Sequence, residues 1–302
     1  MSIVDARTTL VRKLVADWSG RCPLSVEHLP YGHNSSSFDV ALPGARVIVR
    51  THLDPDAFRW TLHNLDVLQG LGLPVPRVLF HDLEVNRYPF AYLILERFPG
   101  RDLGYELASL TPAQMDAVAK AVTDAQARVS LLPSAGGYGY VGIGEPGSRT
   151  TWNAVLDDIM LLSERTLVPR FGPAGARVRD ALESEQHYFA SVSPTCFLDD
   201  LTTKNVIVEE GELTGFVDFD CVCYGDPLLH LGLTQTAVTS DADERSLHYV
   251  DALFELASLS DSERRIVDLY SALFGVEFLR DHPELEEWSA RLLVAIDHWL
   301  KP

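Results

Sequence analysis

Within CFLDDLTTKNVIVEEGELTGFVDFDCVCYGDP, residues 196–227, three side chains have the types and spacing for ion-assisted chemistry. Asn205 lies five positions after Asp200, and Asp218 lies thirteen after Asn205. Two apolar runs, Val206 to Val208 and Leu213 to Phe219, flank Glu209-Glu210-Gly211-Glu212, which reads as the turn of a β-hairpin. Pairing Val208 with Leu213 brings Asn205 back beside Phe216, with Asp218 two residues further along the same rim. A carboxamide and a carboxylate there are hard oxygen ligands. They suit a magnesium ion that keeps waters and shares itself with phosphate oxygens. Asp200, on the loop leading in, is then placed to take a proton from an attacking hydroxyl. The plain alternative is a hairpin with acidic ends, because Asp and Asn favour turns in any case.

The elements that must position these residues fall into two groups. Residues 4–18 carry apolar side chains at helical spacing. Leu24 to Leu29, Phe38 to Leu42 and Arg46 to Arg50 read as strands, and Asp54-Pro55 caps a helix running to about Leu71. Arg77 to Phe80 and Phe90 to Glu96 add two strands, making a five-stranded N-terminal sheet with one helix packed on it. Between the first two strands, Tyr31-Gly32-His33-Asn34-Ser35-Ser36-Ser37 is small and polar. It offers backbone N–H groups and the hydroxyls of Ser35, Ser36 and Ser37 to phosphates. Glu96 to Asp102 break the strand pattern. From Leu103 onward the chain is mainly helical, with helices expected over 111–131, 151–167, 174–191, 228–237, 243–259, 262–278 and 283–300. This predicts an α+β protein with a β-rich part over 1–96 and a helical part over 97–302. Gly137-Tyr138-Gly139-Tyr140-Val141-Gly142 matches a dinucleotide fingerprint literally. A proline loop precedes it and more glycine and proline follow, so the strand and helix that such a site needs are missing.

Composition excludes several classes. The net charge of −18 leaves no basic face for nucleic acid or for an anionic membrane. It suits a cationic small substrate, and equally a merely soluble protein. No apolar run approaches the roughly 18 residues of a membrane span. The N-terminal stretch lacks the apolar core of a leader, so a cytoplasmic location is expected. Cys22, Cys196, Cys221 and Cys223 show no disulfide spacing. Nothing in the sequence reads out the oligomeric state, and a monomer is the working expectation.

The pattern Asp200-x-x-x-x-Asn205, a hairpin, then Asp218-Phe219 resembles the catalytic and metal-binding segment of the protein-kinase-like two-lobe fold. The continuation Gly225-Asp226-Pro227 is similar to the aminoglycoside phosphotransferase and choline kinase branch, whose members phosphorylate small molecules. The resemblance implies a five-stranded antiparallel small lobe and a mainly helical large lobe. It implies Asp200 as catalytic base and Asn205 and Asp218 as ligands of Mg2+, with ATP or GTP as donor and a small-molecule hydroxyl as acceptor. Arg50 stands where that fold places a phosphate-holding lysine, Ser35 to Ser37 resemble its phosphate-covering loop, and Glu96 and Phe98 lie in its adenine hinge. On the C-terminal helices, which line the acceptor side in the family, Asp281, Glu284, Glu286, Glu287 and Asp297 are candidate attractors of an amine-bearing acceptor such as an aminoglycoside.

Three departures from the family's pattern stand out. The helix after Arg50 lacks the expected glutamate: its place falls near Thr61, and Asp66 is an imperfect substitute. Leu198 replaces the histidine two residues before the catalytic aspartate. His230 replaces an acid three residues beyond Gly-Asp-Pro and reads as a core histidine. The missing glutamate and Leu198, together with Arg50 in place of the lysine, favour a rival reading as a pseudoenzyme that binds nucleotide or a partner without turnover. The acids at 199, 200, 218 and 220 suggest a second rival, a metal-dependent hydrolase, which leaves the small lobe unexplained.

Overall fold

The alternation Phe38, Val40, Leu42 predicts a half-buried strand, and the computed structural model, which describes residues 3–29 and 35–301, bears this out. After helix α1 (Ile3–Ser19) come β1 (Ser25–Leu29), β2 (Ser36–Leu42) and β3 (Ala45–His52), then α2 (Thr61–Gly70), β4 (Val78–Asp82) and β5 (Ala91–Glu96). The strands form one antiparallel sheet in the order β1-β2-β3-β5-β4. Its core joins Val11, Leu14 and Val15 of α1 to Phe38, Val40, Val49, Phe90 and Ile94 of the sheet. The expected long helix from Asp54 is interrupted. Asp54 does cap, accepting from Asp56 N, but the cap starts a 3-10 turn (Pro55–Phe58), and α2 begins only at Thr61.

These elements form a compact unit, Met1–Pro99, that also takes in Val217–Asp220. The second unit, Gly100–Phe216 with Cys221–Pro302, is mainly helical. It runs through β6 (Arg101–Asp102), α3 (Leu103–Glu106), α4 (Pro112–Val129), β7 (Gly139–Val141), α5 (Trp152–Thr166), α6 (Gly172–Ser184), α7 (Gln186–Ser191) and β8 (Thr195–Phe197). The hairpin β9 (Val206–Glu209) and β10 (Glu212–Phe216) follows, then β11 (Val222–Gly225), α8 (Leu228–Asp241), α9 (Leu247–Ala257), α10 (Asp261–Asp281) and α11 (Glu286–Trp299). Val208 pairs with Leu213 as the sequence predicts, across a turn in which Glu210 and Gly211 both have positive φ. The second strand ends at Phe216, three residues earlier than expected, and Asp218 adopts a left-handed φ of 68°. Among the described residues no helix is long and apolar enough to cross a membrane. All four cysteines are free thiols.

Gly225-Asp226-Pro227 has a structural role in this unit. A Cβ at Gly225 would lie 2.0 Å from the ring of Trp152. That ring is buried and tied through Nε1 to the Tyr270 hydroxyl at 2.7 Å, so it has no room to retreat. Asp226 accepts from the hydroxyls of Tyr188 (2.9 Å) and Tyr270 (2.8 Å) and from Leu228 N (3.0 Å), at the start of α8. One buried carboxylate thus joins α7, α8 and α10. Burial pushes its pKa up, against these donors. Gly225→Ala should destabilise the protein by about 3 kcal/mol through overpacking, read as a lower urea midpoint with the slope unchanged.

Candidate active site

β3 delivers Arg50 to the inside of the first unit, where its side chain is only 11% exposed. An arginine so buried needs its charge answered. Asp220 does this with both oxygens, at 2.9 and 2.6 Å from the two terminal nitrogens. Asp218 lies 3.2 Å from one of those nitrogens. The guanidinium also donates to Ser35 Oγ at 2.9 Å and stands 5.4 Å from the centre of the buried Phe58 ring. These two carboxylates hold the Arg50 pKa above its ordinary value, although burial opposes them.

The missing helix glutamate is thereby accounted for. At the expected place on α2, Thr61 donates its hydroxyl to Asp220 Oδ1 at 2.7 Å. One turn further on, the fully buried Asn64 donates to the Phe219 carbonyl at 2.9 Å. Asp66 is exposed and takes no part. The helix therefore supplies a hydroxyl and an amide, and the counter-charge for Arg50 arrives with Asp218-Phe219-Asp220. Phe219 is buried, which explains why Val217–Asp220 belong to this unit.

In the second unit, residues 198–205 form a loop pinned from three helices. Gln126 on α4 accepts from Leu198 N at 3.0 Å and donates to Leu198 O at 2.6 Å. Leu198 itself is buried, so its backbone is anchored by this carboxamide while its side chain fills the core. His230 on α8 contacts Leu201 O at 3.1 Å. A carbonyl only accepts, so Nε2 carries the proton. Gly104 N on α3 donates to Thr203 O at 2.9 Å. Within the loop, the Asn205 amide donates to Asp200 O (2.9 Å) and to Asp200 Oδ2 (2.8 Å). The Asp200 side chain is exposed.

That amide orientation bears on a metal. With its NH2 committed to Asp200, Asn205 retains its carbonyl oxygen, a hard ligand. The Asp218 side chain is 45% exposed and carries a second set of hard oxygens. Among the described residues no group of three His, Cys, Asp or Glu could hold a metal. The Asn205 carbonyl and the Asp218 carboxylate are each a hard oxygen donor of the kind that suits magnesium and not a zinc-like site.

The remaining sequence candidates divide. Ser35 is drawn to Arg50, whereas Ser36 Oγ accepts from Arg7 at 2.7 Å. Ser37 pairs with Arg50 across β2 and β3. Tyr31 to Asn34 of the same loop lie outside the described residues. Glu96, at the end of β5, accepts from Arg77 Nε at 3.0 Å, which lowers its pKa. The Phe98 carbonyl accepts from the Arg97 guanidinium at 2.6 Å. Asp220, Thr61, Asn64 and Gln126 carry most of the positioning. No motif marks the last three. Asp220 was legible only as an acid two residues after Asp218.

The model of the phosphotransferase enzyme family (APH) matches residues 26–288. No curated protein matches the sequence. Among solved structures, a thermostable mutant of aminoglycoside phosphotransferase APH(4)-Ia in ternary complex with AMP-PNP and hygromycin B superposes with a TM-score of 0.72 at 18% identity. That match covers 96% of this chain and 97% of the other. The GDP and kanamycin complex of APH(2″)-IIIa gives a TM-score of 0.70 at 14% identity, over 99% and 98% of the two chains. A Thermobifida fusca protein assigned as a fructosamine-3-kinase gives 0.61 at 16% identity, over 97% and 99%. These likenesses establish the protein-kinase-like two-lobe fold.

Two outcomes follow from the geometry. Arg50→Met should cost about 2 kcal/mol in urea unfolding. That is less than for a fully buried pair, since Asp220 keeps some contact with water. Burial holds the His230 pKa at about 4, below its ordinary 6.5. The unfolded chain therefore takes up this proton first on acidification. The contribution is fully present above about pH 6.5 and is lost towards pH 4, amounting to about 3 kcal/mol. His230→Gln should flatten that part of a stability–pH profile.

Proposed function

The chain belongs to the phosphotransferase enzyme family, and on that premise we propose that it transfers the γ-phosphoryl group of ATP or GTP to a hydroxyl of a small molecule, with Mg2+. The observation that carries this reading is the Arg50 cluster. A guanidinium whose fork is taken by Asp220 and whose charge is shared with Asp218 is held rigid beside a serine hydroxyl, a fixed positive charge that would draw the donor phosphates.

In this reading Arg50, Ser35 and Ser37 fix the donor phosphates, and backbone groups of Glu96 and Phe98 meet the base. Asn205 Oδ1 and the Asp218 carboxylate would hold the metal, which would supply positive charge to offset that of the donor phosphates. Asp200 Oδ1 faces the acceptor, orients its hydroxyl and takes its proton as the phosphoryl group departs. The Asn205 amide on Oδ2 holds the carboxylate in one rotamer for this task. Phosphoryl transfer asks the protein for little beyond such positioning and charge. The presence of Asp220 as a counter-charge for Arg50 supports turnover over the binding-only reading, which rested in part on the absent helix glutamate.

ADP or GDP formation with magnesium and a hydroxyl acceptor tests the proposal. Asp200→Asn should lower kcat at least about 100-fold while nucleotide still binds. Asp220→Asn should raise the nucleotide KM by leaving Arg50 poorly oriented. Unchanged kcat in Asp200→Asn would remove the assigned base.

A further inference from the structure

The second unit holds an open cleft of about 340 Å³, within the range of small-molecule sites. Its position ties it to the loop that carries Asp200. Tyr140, on its lining, pairs with Cys223 of β11, and Cys223 pairs on its other side with Phe197 of β8. β8 runs directly into Leu198-Asp199-Asp200, and the Asp199 charge helps to raise the Tyr140 phenol pKa. The cleft therefore opens beside the same sheet from which the proposed base emerges.

The lining is predominantly apolar. α5 presents Val155, Ile159 and Leu162, spaced along one helical face, and α10 adds Phe274. Two acids reach the cleft and both are already matched. Asp158 binds Arg149 through two contacts, at 2.6 and 3.1 Å. Glu277 lies 3.1 Å from Arg280, and its side chain is 25% exposed. The acids expected to attract amines lie outside this lining. Asp281 accepts twice from Arg280, and Asp297 is paired with Arg177. Glu284 stands 4.0 Å from His282, while Glu286 and Glu287 are exposed in the first turn of α11. A polyamino sugar needs several unmatched carboxylates to replace the hydration of its ammonium groups, and this lining does not offer them.

We propose that the cleft binds the acceptor, and that the acceptor is a hydroxylated molecule with an apolar skeleton and at most one amine. This rests on the phosphoryl-transfer reading above. The skeleton packs against Val155, Ile159, Leu162 and Phe274, and the Tyr140 ring borders the same cleft. A single amine, where present, shares Glu277 with Arg280.

The experiment follows ADP and GDP formation by the full chain with magnesium, first without acceptor. It is then repeated with kanamycin, with hygromycin B, with a monoamino macrolide and with a monoamino long-chain alcohol. An apolar probe should raise turnover, with kcat/KM at least about tenfold above either polyamino sugar. Leu162→Asp, at a side chain that is 56% exposed and tolerant of change, should raise the KM for that probe about tenfold. Equal or better use of a polyamino sugar would overturn the assignment, as would an unchanged KM in Leu162→Asp. Background nucleotide hydrolysis that no apolar probe stimulates would also overturn it and leave the phosphotransferase reading standing. If the native chain neither binds nor hydrolyses nucleotide, that underlying reading falls, and the acceptor class with it.

Discussion

A guanidinium cannot be buried alone, and the interior of the first unit is arranged around that constraint. Arg50 is charged at any working pH, so its burial demands carboxylates at hydrogen-bonding distance. Asp220 and Asp218 meet the demand. To do so, Val217–Asp220 leave the hairpin at Phe216, turn through the left-handed conformation of Asp218 and pack with the sheet of the first unit. Thr61 and Asn64 then fix the segment from α2. The ion pair is thus a structural tie as well as the candidate phosphate site. Its rigidity comes from two hydrogen bonds in fork geometry, which a lysine does not reproduce.

The second unit solves a different problem, that of holding a polar loop still. Residues 198–205 expose Asp200 while their backbone groups must be satisfied. Gln126, His230 and Gly104 supply the partners from three helices. This arrangement removes two of the apparent defects in the sequence. Leu198 needs no polar side chain because Gln126 anchors its backbone at both ends. His230 is buried and neutral, and it serves the loop through one N–H. Asp226 works similarly among the helices, where a carboxylate satisfied by two tyrosines and a backbone amide joins three of them.

Much of this was legible from local pattern. The period-two alternation of Phe38, Val40 and Leu42, the caps at Asp54 and Thr111, and the turn at Glu210-Gly211 are short-range signals, and each appears where it was expected. The pairing of Val208 with Leu213 followed from the turn alone. The interruption between Phe58 and Thr61 was not legible, since apolar periodicity runs through it. Nor was the early end of β10, because Val217 and Phe219 continue the strand pattern and only the burial of Phe219 in the first unit breaks it. Two of the acids on the C-terminal helices, Asp281 and Asp297, turn out to be paired with Arg280 and Arg177, and the Arg177 partner, far away in sequence, left no local signal.

The sequence by itself determined the family, the sheet, the hairpin and the chemical types at Asp200, Asn205 and Asp218, because these depend on spacing and on side-chain chemistry. Tertiary structure alone decided which acid answers Arg50, which amide steadies Asp200 and which charges are matched around the cleft beside α5 and α10. The reason is physical. Burial and pairing are relations between residues separated by up to 170 positions, such as Arg50 and Asp220, and no local period records them.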